Sequence, residues 1–199
     1  MKGTFVHIKV ALAALIVFSA SAALAATPKE SIRDTLERVL AITRTFESQQ
    51  DFIDNKPKLR AIILPRFDFR EMARRSLGPD WDRLQGREDE FVAAFIQFAE
   101  ASYTNALGSY RGEKMNYGRE KIDNDAAEVY TEVVGSNGDV TPIVYKMRLA
   151  GGDWKVYDVV IDDVSIVSNF GSQFARILKK DSLDGLMAKL RAKAQVASS

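Results

Sequence analysis

The sequence predicts an α+β fold in which helices wrap an antiparallel sheet of about four strands. Three observations support this fold class. Apolar residues recur with helical spacing up to residue 110, with a spacing of two between residues 113 and 161, and again with helical spacing over residues 164–194. Because no internal repeat or shift in composition divides the chain, we expect a single domain.

The first 25 residues have the pattern of a secretory signal peptide. Lys2 and Lys9 precede or flank an apolar run, and the small-residue site Ala23-Leu24-Ala25 follows it. We therefore expect residues 1–25 to be removed on export and residues 26–199 to form a soluble domain. An uncleaved membrane anchor is the alternative, but the strongly apolar run is shorter than the ~20 residues that a spanning helix needs.

The amino-acid composition limits the catalytic groups and metal ligands available to the mature chain. There is no cysteine, and the single histidine, His7, lies in the predicted signal peptide. The usual general base, the thiol nucleophile and the soft metal ligands are thus absent, and we expect neither a metal nor a cofactor. After residues 1–25 are removed, 26 basic residues face 27 acidic ones. This balance argues against nucleic acid as a partner.

Capping residues mark the predicted helix starts. Thr27, Pro28 and Glu30 supply a cap, a proline at the first helical position and a glutamate three residues after the cap. Asp68 and Glu71 repeat the cap and the acidic residue. The predicted N-terminal helices cover residues 28–49, 57–64, 69–77 and 88–110.

The predicted strands show alternation and are separated by turns. Ile143, Tyr145 and Met147, for example, occupy alternate positions of one strand. Glycine-containing segments at 135–139 and 150–153 are typical hairpin turns. The first predicted strand covers residues 113–122, the last covers residues 154–161, and helices follow at residues 164–179 and 182–194.

Several segments together resemble one family. They are Phe67-Asp68-Phe69-Arg70-Glu71-Met72-Ala73, Leu77-Gly78-Pro79-Asp80-Trp81, the helix at 91–110, Trp154-Lys155-Val156-Tyr157-Asp158-Val159, Val164-Ser165-Ile166-Val167-Ser168-Asn169-Phe170 and Ser172-Gln173-Phe174. In this order they are similar to the MlaC (toluene-tolerance) family of periplasmic phospholipid-binding proteins. The chain departs from the family pattern at Asp163, where glycine is common, and at Gly171, where arginine is common.

The resemblance implies an NTF2-like α+β body with an added helical part and a deep apolar pocket for phospholipid acyl chains. It also implies two partners for the carrier. One is an outer-membrane lipoprotein complex, and the other is an inner-membrane ABC transporter complex with its substrate-binding domain protein. A shuttle of this kind is most simply a monomer.

Apolar side chains from four segments are the candidate walls of such a pocket. Acyl chains are costly to expose to water, at ~0.8 kcal/mol per methylene, so a carrier needs a closed apolar cavity. For each candidate, ordinary core packing is the alternative. The candidate lipid-binding residues are Met72, Phe91, Phe95, Phe98, Tyr103, Leu107, Ile143, Tyr145, Met147, Tyr157, Val159, Ile161, Ile166, Val167 and Phe170.

Three arginines are candidates for contact with a headgroup or a partner. Arg66, Arg70 and Arg74 recur at a spacing of four, and guanidinium groups bind phosphates and carboxylates well. The alternative is a solvated face on which these arginines pair with Glu71 and other nearby acids.

Two carboxylate patterns suggest other functions. Asp158, Asp162 and Asp163 resemble a glycosidase carboxylate pair, although an acid before a helix also stabilises the helix start. The segment Asp123-Asn124-Asp125 resembles part of a calcium loop, but the required glycine and glutamate do not follow.

The sequence therefore favours a non-enzymatic lipid-transfer protein. The alternatives are a periplasmic enzyme that uses carboxylate or tyrosine chemistry in an NTF2-like pocket, and an envelope scaffolding protein without a ligand.

Overall fold

The computed structural model describes residues 26–108 and 113–196 and has the predicted α+β architecture. The predicted signal peptide lies outside these residues. Helices α1 to α4 span Pro28–Thr43, Gln49–Ile63, Phe69–Leu77 and Glu88–Gly108. Strands β1 to β5 span Lys114–Asp123, Ala126–Val134, Val140–Ala150, Asp153–Ile161 and Val164–Ser165, and α5 (Ile166–Leu178) and α6 (Leu183–Val196) follow. Among the described helices, none combines the length and the apolar character needed to cross a membrane.

The boundaries predicted for the first two helices are wrong. Helix α1 ends at Thr43, six residues earlier than predicted, and α2 begins at Gln49 rather than at Pro57. The cause is a second capping box. The Ser48 side chain accepts a hydrogen bond from the Asp51 backbone N–H, and the Asp51 carboxylate accepts one from the Ser48 backbone N–H. Pro57 consequently lies inside α2.

The sheet is an antiparallel meander in the order β1-β2-β3-β4-β5. Its four long strands confirm the prediction. The fifth is a two-residue strand, Val164–Ser165, where the sequence predicts the first turn of a helix. The register shifts between Tyr117 and Glu120 in β1 and between Lys146 and Met147 in β3. Such bulges bend strands, so the sheet can curve around the helices.

Three separate apolar clusters hold these layers together. The largest contains side chains from helices α3, α4, α5 and α6, among them Phe91, Phe95 and Phe174. A second packs α1 on the sheet around Ile32 and Met147. The third joins only α1 and α2 and contains Val39, Phe52 and Leu59. Because the third cluster is separate from the other two, a space remains between α1, α2, α4 and the sheet.

Candidate functional site

This space is an apolar cavity of about 610 Å³. Its volume lies within the range typical of small-molecule sites. The lining residues are Ile32, Thr35, Leu36, Val39, Leu40, Thr43, Phe52, Lys56, Leu59, Arg60, Ile63, Leu64, Arg66, Phe67, Phe69, Met72, Ala99, Glu100, Glu113, Met115, Val133, Gly135, Asp139, Thr141, Ile143, Tyr145, Val159, Ile161, Ile166 and Phe170. Most of these side chains are aliphatic or aromatic, so the cavity suits an apolar ligand.

The periodicity of two elements explains how the walls form. On α1, Ile32, Leu36 and Val39 face the cavity because residues three and four apart share one face of a helix. On β3, Ile143 and Tyr145 face the cavity because alternate residues of a strand share one face of the sheet. One helix face and one sheet face thus provide two opposing apolar walls.

The inner end of the cavity is well buried. Ile32, Met72 and Phe170 are each no more than 3% exposed. Tyr145 is also buried, and loss of hydration raises the pKa of its phenol, although a hydrogen bond with Thr131 acts in the opposite direction. The Tyr145 phenol is therefore neutral over the physiological pH range and is unsuited to act as a base there.

Besides Arg66, five charged residues line the cavity, and we call these five the charged rim. The rim consists of Lys56, Arg60, Glu100, Glu113 and Asp139. Arg60 on α2 forms an ion pair with Glu100 on α4. Arg60 and Asp139 are exposed, so the cavity is close to solvent at these two residues.

Seven of the fifteen candidate wall residues line the cavity, namely Met72, Ile143, Tyr145, Val159, Ile161, Ile166 and Phe170. Others lie in the clusters beside it. Phe91, Phe95, Phe98 and Val167 belong to the helical cluster, where Phe98 and Phe170 have ring centroids 5.0 Å apart. The contribution of these four residues to the cavity is therefore to support its wall from behind.

Of the remaining four candidates, Met147 and Tyr157 lie away from the described cavity wall. Met147 packs in the cluster between α1 and the sheet. The ring of Tyr157 stacks with the Arg75 guanidinium, which lies 4.2 Å from the ring centroid. The side chains of Tyr103 and Leu107 lie outside the described residues.

Sequence reasoning missed the contributions of α1 and α2 to the cavity. Leu36 and Val39 lie on the α1 face that the sequence marks as apolar, but that pattern alone is equally typical of a core-facing helix. Lys56 and Arg60 gave no separate signal, because single charged residues on a short helix are ordinary surface residues.

The three candidate arginines have different environments. The Arg66 guanidinium lines the cavity and donates hydrogen bonds to the Thr35 hydroxyl at 3.1 Å and to the Trp154 carbonyl at 2.6 Å. Arg66 therefore links α1, the turn before α3 and β4. Arg70 forms an ion pair with Asp89 at the start of α4.

Arg74 pairs with Glu71 on its own helix. The Glu71 carboxylate accepts hydrogen bonds from Arg74 at 2.8 Å and from Arg75 at 2.6 Å. The Arg74 hydrogen bond is the main cause that lowers the pKa of Glu71 to about 2, against the opposing effect of partial burial. Arg70 and Arg74 thus make the ion pairs that the alternative hypothesis describes, and their contact with a headgroup or partner stays a prediction.

The carboxylates within and directly after β4 have structural roles. Asp158 is buried and accepts hydrogen bonds from the Ser165 hydroxyl and from the Val167 backbone N–H. Asp162 and Asp163 form the exposed turn between β4 and β5, with φ values of 49° and 63°. Among the described residues, no group of three or more His, Cys, Asp or Glu side chains is arranged to hold a metal ion.

The segment that resembles part of a calcium loop is a hairpin turn. Asp123 and Asp125 flank Asn124, which has a φ of 52° and lies between β1 and β2. Asparagine tolerates this left-handed backbone conformation well, so the turn accounts for the pattern.

Comparison with known proteins identifies related sequences and a related fold. The sequence profile of the family described as MlaC protein matches residues 33–192. The toluene tolerance protein ttg2D of Pseudomonas putida is 31% identical over 104 residues, which are 52% of this chain and 46% of that protein. The matched segment thus spans less than half of the length of this relative.

A second relative is matched over a longer region. The intermembrane phospholipid transport system binding protein MlaC of Haemophilus influenzae is 28% identical over 158 residues, which are 73% of each chain. Among solved structures, the phospholipid-binding protein from Ralstonia solanacearum in complex with a phospholipid has a TM-score of 0.75 and 21% identity. The similarity covers 87% of this chain and 100% of that chain, and it shows that the two share a fold.

Proposed function

The chain belongs to the MlaC family, and from this premise we propose that it is a lipid-transfer protein that holds phospholipid acyl chains in its apolar cavity. The observation that carries the proposal is the cavity of about 610 Å³ between α1, α2 and the sheet. The names of two relatives support the choice of ligand, because one is a phospholipid transport binding protein and the other was solved with a phospholipid.

The free energy of transfer explains why such a cavity fits this cargo. Each methylene moved from water to an apolar environment contributes ~0.8 kcal/mol, so an exposed acyl chain is strongly unfavourable. The cavity walls include Leu36, Val39, Ile143 and Ile161, and they give the acyl chain an apolar environment in place of the membrane interior. Binding and release require no covalent chemistry, and we propose that the protein is not an enzyme.

The proposed location and partners follow from the same premise. We place the mature protein in the periplasm after removal of residues 1–25. There it carries lipid between an outer-membrane lipoprotein complex and an inner-membrane ABC transporter complex with its substrate-binding domain protein, and it acts as a monomer. Any energy for directional transport comes from the transporter, because the described residues form an apolar container.

One experiment tests the ligand directly. Solvent extraction of the purified protein, followed by mass spectrometry, should yield phospholipid in a stoichiometric amount. A protein that is empty after purification and also takes up no lipid from phospholipid vesicles would contradict the proposal and favour the scaffolding alternative.

A pair of variants on the same strand tests the position of the cavity. Ile143→Asp places a charge in the cavity wall, whereas Leu149→Asp places one at an exposed position of β3. We expect Ile143→Asp to lose lipid because a buried carboxylate cannot be solvated by acyl chains. The Leu149→Asp control should bind lipid as the unmodified protein does. If folded Ile143→Asp protein retains its lipid, the proposed cavity is not the binding site.

Partner contact by the exposed arginines is proposed separately. The Arg70 and Arg74 side chains are 57% and 51% exposed, so an acidic partner surface can reach them despite their intramolecular ion pairs. Replacing Arg66, Arg70 and Arg74 together by Gln should slow transfer to partner complexes. Unchanged lipid retention together with unchanged transfer would rule out this role.

A further inference from the structure

A smaller pocket of about 300 Å³ lies beside the cavity, between the last turns of α1 and the beginning of β1. We call it the side pocket. Its walls are Glu37, Leu40, Arg44, Lys114, Met115 and Tyr117. Leu40 and Met115 also line the main cavity, so the two spaces adjoin at these side chains. These two side chains form the boundary that a ligand must cross to place a polar part in the side pocket while its apolar part occupies the cavity.

The side pocket has an excess of positive charge. Its two cations, Arg44 and Lys114, face one acid, Glu37. Both cations are exposed, and within residues 26–108 and 113–196 no ion pair involves either of them. Arg33 adds a further cation behind the wall, since its guanidinium carbon lies 4.8 Å from the centroid of the Tyr117 ring.

The charged rim of the main cavity has the opposite balance. Lys56 and Arg60 share the rim with Glu100, Glu113 and Asp139, and Arg60 is already paired with Glu100. An anion placed there meets three carboxylates and two cations, and carboxylates repel an anion. The charge balance therefore favours the side pocket over the rim as the place for an anionic group.

The partial negative charge at the C-terminus of α1 does not cancel the positive charge of the side pocket. Arg44 is the C-cap residue of α1, and a helix C-terminus carries the equivalent of roughly half a negative charge. The two full positive charges of Arg44 and Lys114 exceed this partial charge and the charge of Glu37 together. Guanidinium and ammonium groups form strong, short hydrogen bonds with phosphate oxygens.

We propose that the side pocket binds the phosphate of a lipid whose acyl chains occupy the main cavity, with Arg44 and Lys114 as its ligands. The proposal rests on the proposed function as a lipid carrier. The phosphodiester is the group that all glycerophospholipids share, so this site selects phosphate-bearing lipids over uncharged ones and leaves the rest of the headgroup in solvent.

The test compares two lipids with identical acyl chains, phosphatidylglycerol and diacylglycerol, in binding to delipidated protein. The double variant Arg44→Gln with Lys114→Gln should bind phosphatidylglycerol about tenfold more weakly, because it loses two charge-assisted hydrogen bonds, and should bind diacylglycerol unchanged.

A rim variant, Lys56→Gln with Arg60→Gln, tests the competing position of the phosphate. The matched control is Arg176→Gln with Lys179→Gln, which removes one arginine and one lysine at exposed positions at the end of α5 that line neither pocket. The control should change phosphatidylglycerol binding less than about threefold.

Each contrary result has a separate meaning. If the unmodified protein binds neither lipid, the carrier function itself fails. If it binds both lipids but the side-pocket variant binds phosphatidylglycerol normally, only the phosphate site is wrong. A loss produced by the rim variant instead would place the phosphate at the rim and overturn the inference. Equal weakening for both lipids in the side-pocket variant would also overturn it, because the phosphate would not be what the pocket recognises.

Discussion

The buried Asp158 carboxylate accepts a hydrogen bond of 3.1 Å from the backbone N–H of Val167. The same carboxylate accepts a hydrogen bond of 2.7 Å from the Ser165 hydroxyl, and Ser165 is the N-cap residue of α5. Asp158 thereby ties the middle of β4 to the first turn of α5. Because Ile166 in that turn lines the cavity, this carboxylate positions part of the cavity wall.

Replacing this carboxylate should destabilise the fold without acting on the ligand directly. Asp158→Ala leaves the buried Val167 N–H without a partner, and we expect a loss of about 2 kcal/mol in the free energy of unfolding. Asp153→Ala is the matched control, because Asp153 is an exposed acid on the same strand. Its effect should stay below about 0.5 kcal/mol. Urea denaturation measures both, and equal stabilities of the two variants would contradict the role assigned to Asp158.

Glu71 should make stability depend on pH in the acidic range. Hydrogen bonds from Arg74, the larger cause, and from Arg75 lower the pKa of Glu71 from 4.5 to about 2 in the folded protein. A carboxylate with a lowered folded-state pKa stabilises the fold above its unfolded pKa. This contribution is lost progressively as the pH falls from about 4.5 towards 2.

The Glu71→Gln variant isolates this effect. At pH 7 we expect it to be less stable by about 2 kcal/mol, a value reduced because both arginines are half exposed to screening water. The difference from the unmodified protein should shrink towards pH 2. Glu90→Gln is the control, since Glu90 also pairs with two arginines but at an exposed site, and its loss should be smaller. A stability difference for Glu71→Gln that does not change between pH 7 and pH 2.5 would argue against the shifted pKa.

The fold was predictable where a local signal had a single meaning. Thr27 and Glu30 form the capping box that starts α1, and the alternation around Ile143 and Tyr145 gives β3 its cavity-facing side. The start of α2 was not predictable from Pro57, because a proline that fits the first turn of a helix also occurs inside one when packing compensates. Ser48 and Asp51 carried the correct signal, but Ser48 lay within the stretch attributed to the preceding helix.

The candidate site was only partly predictable, because apolar character does not distinguish a cavity wall from a filled core. The hydrophobic effect favours burial of both Phe95 and Ile143, yet Phe95 packs among aromatic rings and Ile143 faces the cavity. The charged rim was not predictable at all. Lys56 and Asp139 are far apart in sequence, and only the fold brings them into the lining of one cavity.

Gly171 should be intolerant of a side chain, including the arginine that is common in the family. A Cβ atom added there would lie 3.1 Å from the Ser76 carbonyl oxygen, where α5 approaches α3. A backbone oxygen cannot move as easily as a side-chain atom. The crowding should therefore outweigh the ~1 kcal/mol by which alanine stabilises a helix relative to glycine. We expect Gly171→Ala to lose about 1 kcal/mol and Gly171→Arg to lose more.

An exposed position on the same helix provides the comparison for Gly171. Asn169→Ala changes helix propensity without crowding another helix, and it should be neutral or slightly stabilising in thermal unfolding. A Gly171→Ala protein that is more stable than the unmodified one would show that α3 moves away at little cost.

The Arg60–Glu100 ion pair should mark the place where the cavity opens to release lipid. Helix α2 packs mainly on α1 through the cluster around Phe52 and Leu59, and its ion pair with α4 bridges the charged rim. We expect lipid to leave past the rim when α2 and α4 separate. The absence of cysteine in the chain allows a specific cross-link between Arg60→Cys and Glu100→Cys. After loading with lipid, the cross-linked protein should release it to acceptor vesicles at least about tenfold more slowly, because an acyl chain cannot leave without the opening that separation provides.

The control applies the same reagent to Asp181→Cys with Lys189→Cys, a pair near α6 joined by a salt bridge of 2.7 Å and away from the cavity lining. Release that is equally fast in both cross-linked proteins would mean that lipid leaves by a route other than the rim.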